Sequence, residues 1–174
     1  MFTLSSADET VAYRHLEDLI ALLADSVAGG ASIGFLHTSA REEFEHSWKN
    51  VFAELSTGVL ILIIALNEQG RVVGSAQLAL SHKANGRHRA EVQKVLVHSD
   101  CRGKGLGRKL MTVIEDVARA NQITLLVLDT LVGSVAEQMY AKLGYQKAGE
   151  IPSYAAAPDG VLYPTALFYK LLES

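Results

Sequence analysis

The feature that most constrains this chain is the stretch from Glu91 to Arg108, which reads Glu-Val-Gln-Lys-Val-Leu-Val-His-Ser-Asp-Cys-Arg-Gly-Lys-Gly-Leu-Gly-Arg. An apolar, β-branched run stops abruptly, a basic loop with alternating glycines follows, and a helical repeat begins inside that loop. Gly103, Gly105 and Gly107 remove side chains where a ligand has to approach the backbone. The first N–H groups of a helix have no partner within it. Together with the helix dipole they make an anion site, for which a diphosphate is a natural guest. Arg102, Lys104, Arg108 and Lys109 crowd the loop with no acidic residue among them, although the whole chain carries a net charge of −3. A Walker loop needs Ser or Thr after its Gly-Lys pair, and Lys104 is followed by Gly105. A dinucleotide fingerprint needs G-x-G-x-x-G, and here the glycines alternate. What remains is a phosphate cradle of the form Arg102-x-x-Gly105-x-Gly107, or a basic turn capping an ordinary helix.

The bulk properties narrow the setting. A chain of 174 residues suits one domain, 1–174, and can bury about 70% of its unfolded surface. A net charge of −3 argues against general binding to nucleic acid or to acidic membranes. The longest apolar run, Val59 to Leu66, is too short to span a bilayer, and Met1-Phe2-Thr3-Leu4 opens no basic, apolar signal segment. The one cysteine, Cys101, excludes an internal disulfide, so a cytoplasmic protein is expected. The six histidines show no metal-ligand spacing, and no metal is expected.

Along the chain, Phe2 to Leu4 reads as a short strand, and Ser6-x-x-Glu9 as a capping box opening one helix from Glu9 to Ala28. Gly29-Gly30 stops it. The small, apolar segment Gly30 to Phe35 is either plain packing or cover for an acceptor pocket. Ser39-x-x-Glu42 opens a second helix to about Leu55, whose Phe44, Trp48, Phe52 and Leu55 form a core stripe. Val59 to Leu66 and Val72 to Leu80 read as paired strands, with Asn85-Gly86 as a type I′ turn before the strand Ala90 to His98. A helix from Leu106 to about Asn121 and a buried strand Thr124 to Leu128 then give a parallel crossover. Ser134-x-x-Glu137 opens a third capped helix, ended by Gly144. Strands Tyr145 to Gly149 and Leu162 to Leu172 flank an irregular segment, Pro152 to Gly160. The order β-α-α-β-β-β-α-β-α-β-β is that of an α/β domain with a mixed sheet.

The basic loop resembles the acyl-CoA loop of the GNAT family of N-acetyltransferases, whose pattern is Arg/Gln-x-x-Gly-x-Gly/Ala. The element order is similar as well. A second family pattern, Ala-x-x-aromatic/aliphatic-Tyr-x-x-x-Gly-Phe/Tyr, is occupied by Ala136, Met139, Tyr140, Gly144 and Tyr145. Gly29 to Phe35, Arg89 to Lys94, Pro158-Asp159-Gly160 and Pro164-Thr165-Ala166 resemble the tabtoxin-resistance acetyltransferases within that family. The resemblance implies a single-domain acyl-CoA N-acyltransferase fold, with a mostly antiparallel sheet splayed between its fourth and fifth strands and flanked by helices. Many members carry Asn where this chain has Gly133, and there the Asn holds the pantetheine arm; Ser134 or backbone groups would substitute.

The same resemblance implies acetyl-CoA as cosubstrate, lying between the strands that end at His98 and at Asp129. Its pantetheine would pair with Val95, Leu96 and Val97, and its diphosphate would rest on the amides of Gly103 to Arg108, with Arg102 opening the loop. Direct transfer to an amine needs two proton movements. Tyr140 matches the family's general acid, and a phenol with an ordinary pKa near ~10 is a usable donor at neutral pH. Glu91, then Asp129, are the candidate bases, and either is equally readable as a structural acceptor. Cys101 lies beside the cradle, but direct transfer needs no acyl-cysteine. The expected activity is acetylation of a primary amine on a small molecule, such as a toxin or antibiotic resembling tabtoxinine-β-lactam, by a monomer or homodimer. The alternatives are acetylation of a protein or peptide, and a non-catalytic acetyl-CoA sensor.

Overall fold

The computed structural model describes residues 1–173. Strand β1 (Thr3–Ala7) leads into α1 (Glu9–Arg14), α2 (Leu16–Ala28) and α3 (Arg41–Thr57). Then come β2 (Leu60–Leu66), β3 (Val72–Leu80), β4 (Arg89–Val97), a single 3-10 turn (Ser99–Cys101) and α4 (Leu106–Ala120). The chain closes with β5 (Leu125–Leu131), α5 (Val135–Lys142), β6 (Gln146–Ala156) and β7 (Leu162–Leu171). The seven strands form one sheet in the order β1-β2-β3-β4-β5-β7-β6. Neighbours are antiparallel except for β4 and β5, which run parallel.

Alternation along the strands sends apolar side chains to both faces, and each face has its own core. Ile63, Ala76, Leu78, Val92 and Leu126 pack against α4 and α5, including Leu110, Ile114 and Tyr140. Leu60, Leu62, Ile64 and Leu96 pack against α1, α2 and α3, including Leu19, Leu23, Trp48 and Phe52. Trp48 is a core residue, with its indole N–H donated to the Leu19 carbonyl at 2.9 Å.

The β4–β5 seam is the exception to this regularity. Its pairs are Arg89↔Leu125, Ala90↔Leu126 and Glu91↔Val127, and beyond Glu91 the two strands part. β4 is bent there by a bulge: its register with β3 shifts between Ser75 and Gln77, and Lys94 adopts φ 44°. An extra residue in one strand breaks the ladder locally and turns the strand aside. The splay expected between the fourth and fifth strands is present.

Several local expectations are corrected. The first long helix bends at His15 (φ −104°, ψ 17°), a change that an unbroken run of apolar positions cannot disclose. Ser6 lies within β1, and Asp8 is the cap, accepting the Val11 N–H at 2.8 Å. Ser39 is one residue early: α3 is capped at Ala40, whose N–H is taken by Glu43 at 2.7 Å, not by Glu42. Asn85-Gly86 forms no type I′ turn, because neither residue has the positive φ it requires. Residues 81–88 make a longer loop closed by the Gly86 N–H on the Lys83 carbonyl at 2.8 Å. Pro152 to Ala156 is strand rather than irregular; β6 runs through it with a bulge near Ser153 (φ 51°).

Gly74 lets α4 lie close on β3. A Cβ there would stand 3.2 Å from Leu106 Cδ2, Leu110 Cδ1 and the Leu96 carbonyl oxygen. The substitution Gly74→Val is expected to lower unfolding stability by about 1–3 kcal/mol. It would be read as a lower denaturant midpoint at unchanged slope.

Candidate active site

The loop between β4 and α4 presents backbone to the cavity. Gly103 and Gly105 take φ of 73° and 76°, and the space beside their α-carbons is open. Gly105 caps α4 without a side chain, and the first helical hydrogen bond is Lys109 N–H to the Gly105 carbonyl at 3.1 Å. The N–H groups of Leu106, Gly107 and Arg108 therefore have no acceptor within the helix. Leu106 itself is in the core, so only its amide faces outward. Gly107 serves packing instead: a Cβ there would sit 3.1 Å from Met139 Sδ on α5.

The basic side chains divide in a way the sequence does not reveal. Lys104 Nζ donates to the Asp100 carbonyl at 2.8 Å, and Arg102 turns back toward α2. Arg102 Nε donates to the Val97 carbonyl at 3.1 Å, and its guanidinium reaches Asp25 at 3.5 Å. Arg108 and Lys109 are exposed and have no ion pair among the described residues. Asp25 is the hub, accepting the Ser99 N–H at 2.8 Å and the Ser99 hydroxyl at 2.6 Å. Burial raises its carboxyl, but the Ser99 hydrogen bonds, with the charges of His98 and Arg102, bring it below the ordinary value.

β4 and β5 line one cavity of about 930 Å³ with the α2–α3 loop and with Tyr154 and Ala155 of β6 and Tyr163 to Thr165 of β7. The β5-facing backbone of Val95, Leu96 and Val97 has no strand partner, because pairing ends at Glu91, and among the described residues only the Val97 carbonyl is taken up, by Arg102 Nε. Buried N–H and C=O groups require partners, and an amide-bearing arm supplies them. Those unpaired groups and the open α4 amides fit an acyl-CoA in both its parts. Gly133 has φ 79°, a left-handed conformation that glycine and asparagine adopt most readily. Ser134 lines the cavity while its hydroxyl caps α5 at Glu137 N–H (3.1 Å) and lies 3.3 Å from Thr130 Oγ1.

Tyr140, Glu91 and Asp129 all line this cavity. Tyr140 is only 6% exposed and arrives from the α4–α5 side. Burial, with Asp129's charge second, pushes its phenol up to about 12. Glu91 and Asp129 lie on the other face: Glu91 is in register with Val127, and Asp129 is two residues further along the same strand. Asp129 is exposed, although it lies on a strand whose other residues are buried or half-buried, and accepts the Thr165 hydroxyl at 2.8 Å. Glu91 has no hydrogen bond or ion pair among the described residues and faces the cavity free.

Beside the cavity, the α2–α3 loop meets the β6–β7 turn in a short roof. The His37 N–H donates to the Pro158 carbonyl at 2.9 Å, and the Ser32 hydroxyl donates to the Ala156 carbonyl at 3.5 Å. Gly30 to Gly34 line the cavity, and Ile33 and Phe35 of the same segment pack against the core on the α1–α3 side. Neither this roof nor the Asp25 hub is visible in sequence, since Asp25 sits within an amphipathic helix like any exposed acid. The variant Asp25→Asn is expected to lose about 1–2 kcal/mol of stability at pH 7. Because the folded pKa lies below the ordinary 3.8, that contribution is present above 3.8 and is lost as pH falls through the folded value. Denaturant unfolding of both proteins at pH 7 and at acid pH checks the convergence.

Residues 15–145 match the acetyltransferase (GNAT) family. An uncharacterized N-acetyltransferase encoded in the hisH–hisA intergenic region of Azospirillum brasilense is 32% identical over 123 residues, 70% of this chain and 71% of that protein. Two solved structures share the fold. The ribosomal-protein-alanine N-acetyltransferase of Brucella melitensis superposes with TM-score 0.79 at 24% identity, covering 98% of this chain and 99% of that one. The phosphinothricin acetyltransferase of Sinorhizobium meliloti, in complex with acetyl-CoA, superposes with TM-score 0.80 at 18% identity, covering 98% and 88%. The first is named for a protein acceptor and the second for a small molecule, so fold alone does not choose between them. With its splayed β4–β5 seam and amide-lined loop, this chain belongs to the GNAT family of acetyltransferases.

Proposed function

We propose that this protein moves an acetyl group from acetyl-CoA directly to the primary amine of a small molecule in the cytoplasm. The observation that carries this reading is the contact between two walls of the cavity: Ser32, which lines it from the α2–α3 loop, donates to the carbonyl of Ala156, next to the lining residue Ala155 on β6. Walls joined in this way enclose a pocket of the kind that holds small ligands and obstruct a polypeptide chain. A toxin or antibiotic resembling tabtoxinine-β-lactam is a narrower candidate of this class.

In this reading the amides of Leu106, Gly107 and Arg108 bind the diphosphate, with Arg108 adding charge. The free strand edge at Val95 to Val97 binds the pantetheine arm. Glu91, the unpartnered carboxylate, takes a proton from the incoming ammonium; Asp129 is the second candidate. The amine lone pair then attacks the thioester carbonyl carbon, and an N–H near Leu96 or Val97 stabilises the oxyanion. As the carbon–sulfur bond breaks, Tyr140 gives its proton to the departing sulfur, and the extra proton on the new amide nitrogen passes to the tyrosinate, which restores the phenol and leaves neutral amide and free thiol. A phenol held near 12 stays protonated at neutral pH and is ready to donate.

A panel of small amines and peptide amines, assayed with acetyl-CoA, tests the assignment; transfer confined to peptides would overturn it. The variant Tyr140→Phe is expected to lower kcat about a hundredfold with little change in the KM for acetyl-CoA. Because the Tyr140 phenol is raised to about 12, the wild-type kcat should show no alkaline limb centred near pH 10. Glu91→Gln should reduce kcat/KM for the amine more than Asp129→Asn does, and the opposite order would exchange their roles.

A further inference from the structure

We propose that the acceptor carries an anionic group as well as its amine, and that Lys94 holds that group. This rests on the small-molecule reading above and specifies the substrate class within it. Lys94 occupies the β4 bulge at φ 44°, a conformation that side chains other than glycine, asparagine and aspartate seldom take. Such strain costs on the order of 1–3 kcal/mol and collects at functional positions. Its ammonium has Ser47 Oγ at 3.4 Å as its hydrogen-bond partner and lies 6.0 Å from the centre of the Phe35 ring. Among the described residues no carboxylate comes within ion-pair distance of it. Burial lowers its pKa, with the charge of Glu54 opposing, so this cation is held without adequate compensation.

A second observation points the same way. Gln77 on β3 stands directly opposite Gln93 on β4, so both side chains leave the same face of the sheet. Gln77 is 1% exposed and its Nε2 has no acceptor; the hydroxyl of Ser75, two residues away on the same strand, is also buried without a partner. Buried donors without acceptors are uncommon and call for a missing partner. Around the bulge the protein thus provides an ammonium whose one acceptor, Ser47 Oγ, is neutral, and an amide with none, and an anion beside Lys94 supplies the missing charge.

Gln93 and Lys94 line the same cavity as Glu91, Asp129 and Tyr140. Acidic and basic residues therefore share one cavity, and the Lys94 side chain leads from it toward Ser47 and Phe35. An amine drawn to Glu91 and Asp129 and an anion drawn to Lys94 would orient the acceptor with its nitrogen toward the strand gap. Carboxylates and phosphates share the chemistry required.

The test uses the full-length protein, acetyl-CoA and matched acceptors: α-amino acids against their amides, and O-phosphoethanolamine against ethanolamine. In at least one pair the anionic member should have a kcat/KM about tenfold or more above its neutral partner. The pair that shows it identifies carboxylate or phosphate. Lys94→Met should abolish that preference while leaving the neutral acceptor's kcat/KM and the KM for acetyl-CoA unchanged, and Lys94→Arg should restore part of it. Neutral amines used as well as anionic ones would overturn the proposal and leave the small-molecule reading standing. Transfer to peptides alone would overturn both. A preference that survives in Lys94→Met, with an unchanged melting temperature, would assign it elsewhere and overturn the role of Lys94; if that variant is unstable, Lys94→Gln makes the same comparison.

Discussion

The active-site architecture depends on a refusal to pair. β4 and β5 are parallel neighbours for three residue pairs and then separate at Glu91, in the middle of a seven-stranded sheet. Leaving backbone groups unsatisfied costs roughly 1–3 kcal/mol each when they are buried, so a sheet keeps such a gap only if something else fills it. The fold meets this cost in two ways. The bulge at Lys94 turns β4 away from β5, and the surrounding cores on both faces are continuous enough to hold the strands apart.

The gap also joins the two faces of the sheet. Tyr140 belongs to the core under α4 and α5, whereas Glu91 and Asp129 stand on the α2–α3 side. The phenol and the two carboxylates thus reach a common cavity from opposite sides of one layer. A sheet without the splay would hold the phenol and Glu91 on separate faces with no common space. Rigid strands and a packed helix, rather than flexible loops, fix the geometry of the reacting groups, which favours preorganised chemistry.

Much of this was legible in sequence because the relevant signals are local. The alternation of Gly103, Gly105 and Gly107 marked the loop, and the periodicity of Leu106, Leu110 and Ile114 marked α4. Ser134 caps α5 as its spacing implied. What failed was either a single-residue offset or a long-range contact. Ser39 and Ala40 cannot be separated by a capping pattern when Glu42 and Glu43 both follow. The bend at His15 leaves the apolar repeat intact. The turning of Arg102 toward Asp25 depends on residues 77 positions apart, and the exposure of Asp129 on how β5 and β7 pack. No periodicity encodes those distances.

The backbone of Arg102 begins the loop that leads into α4, while its guanidinium lies against Gly29, where a Cβ would come within 2.8 Å of Nη1. Gly29 is also where the roof segment leaves α2. Any side chain introduced at that root would push the guanidinium off the end of α2, so rebuilding this corner and keeping Arg102 in place are competing demands.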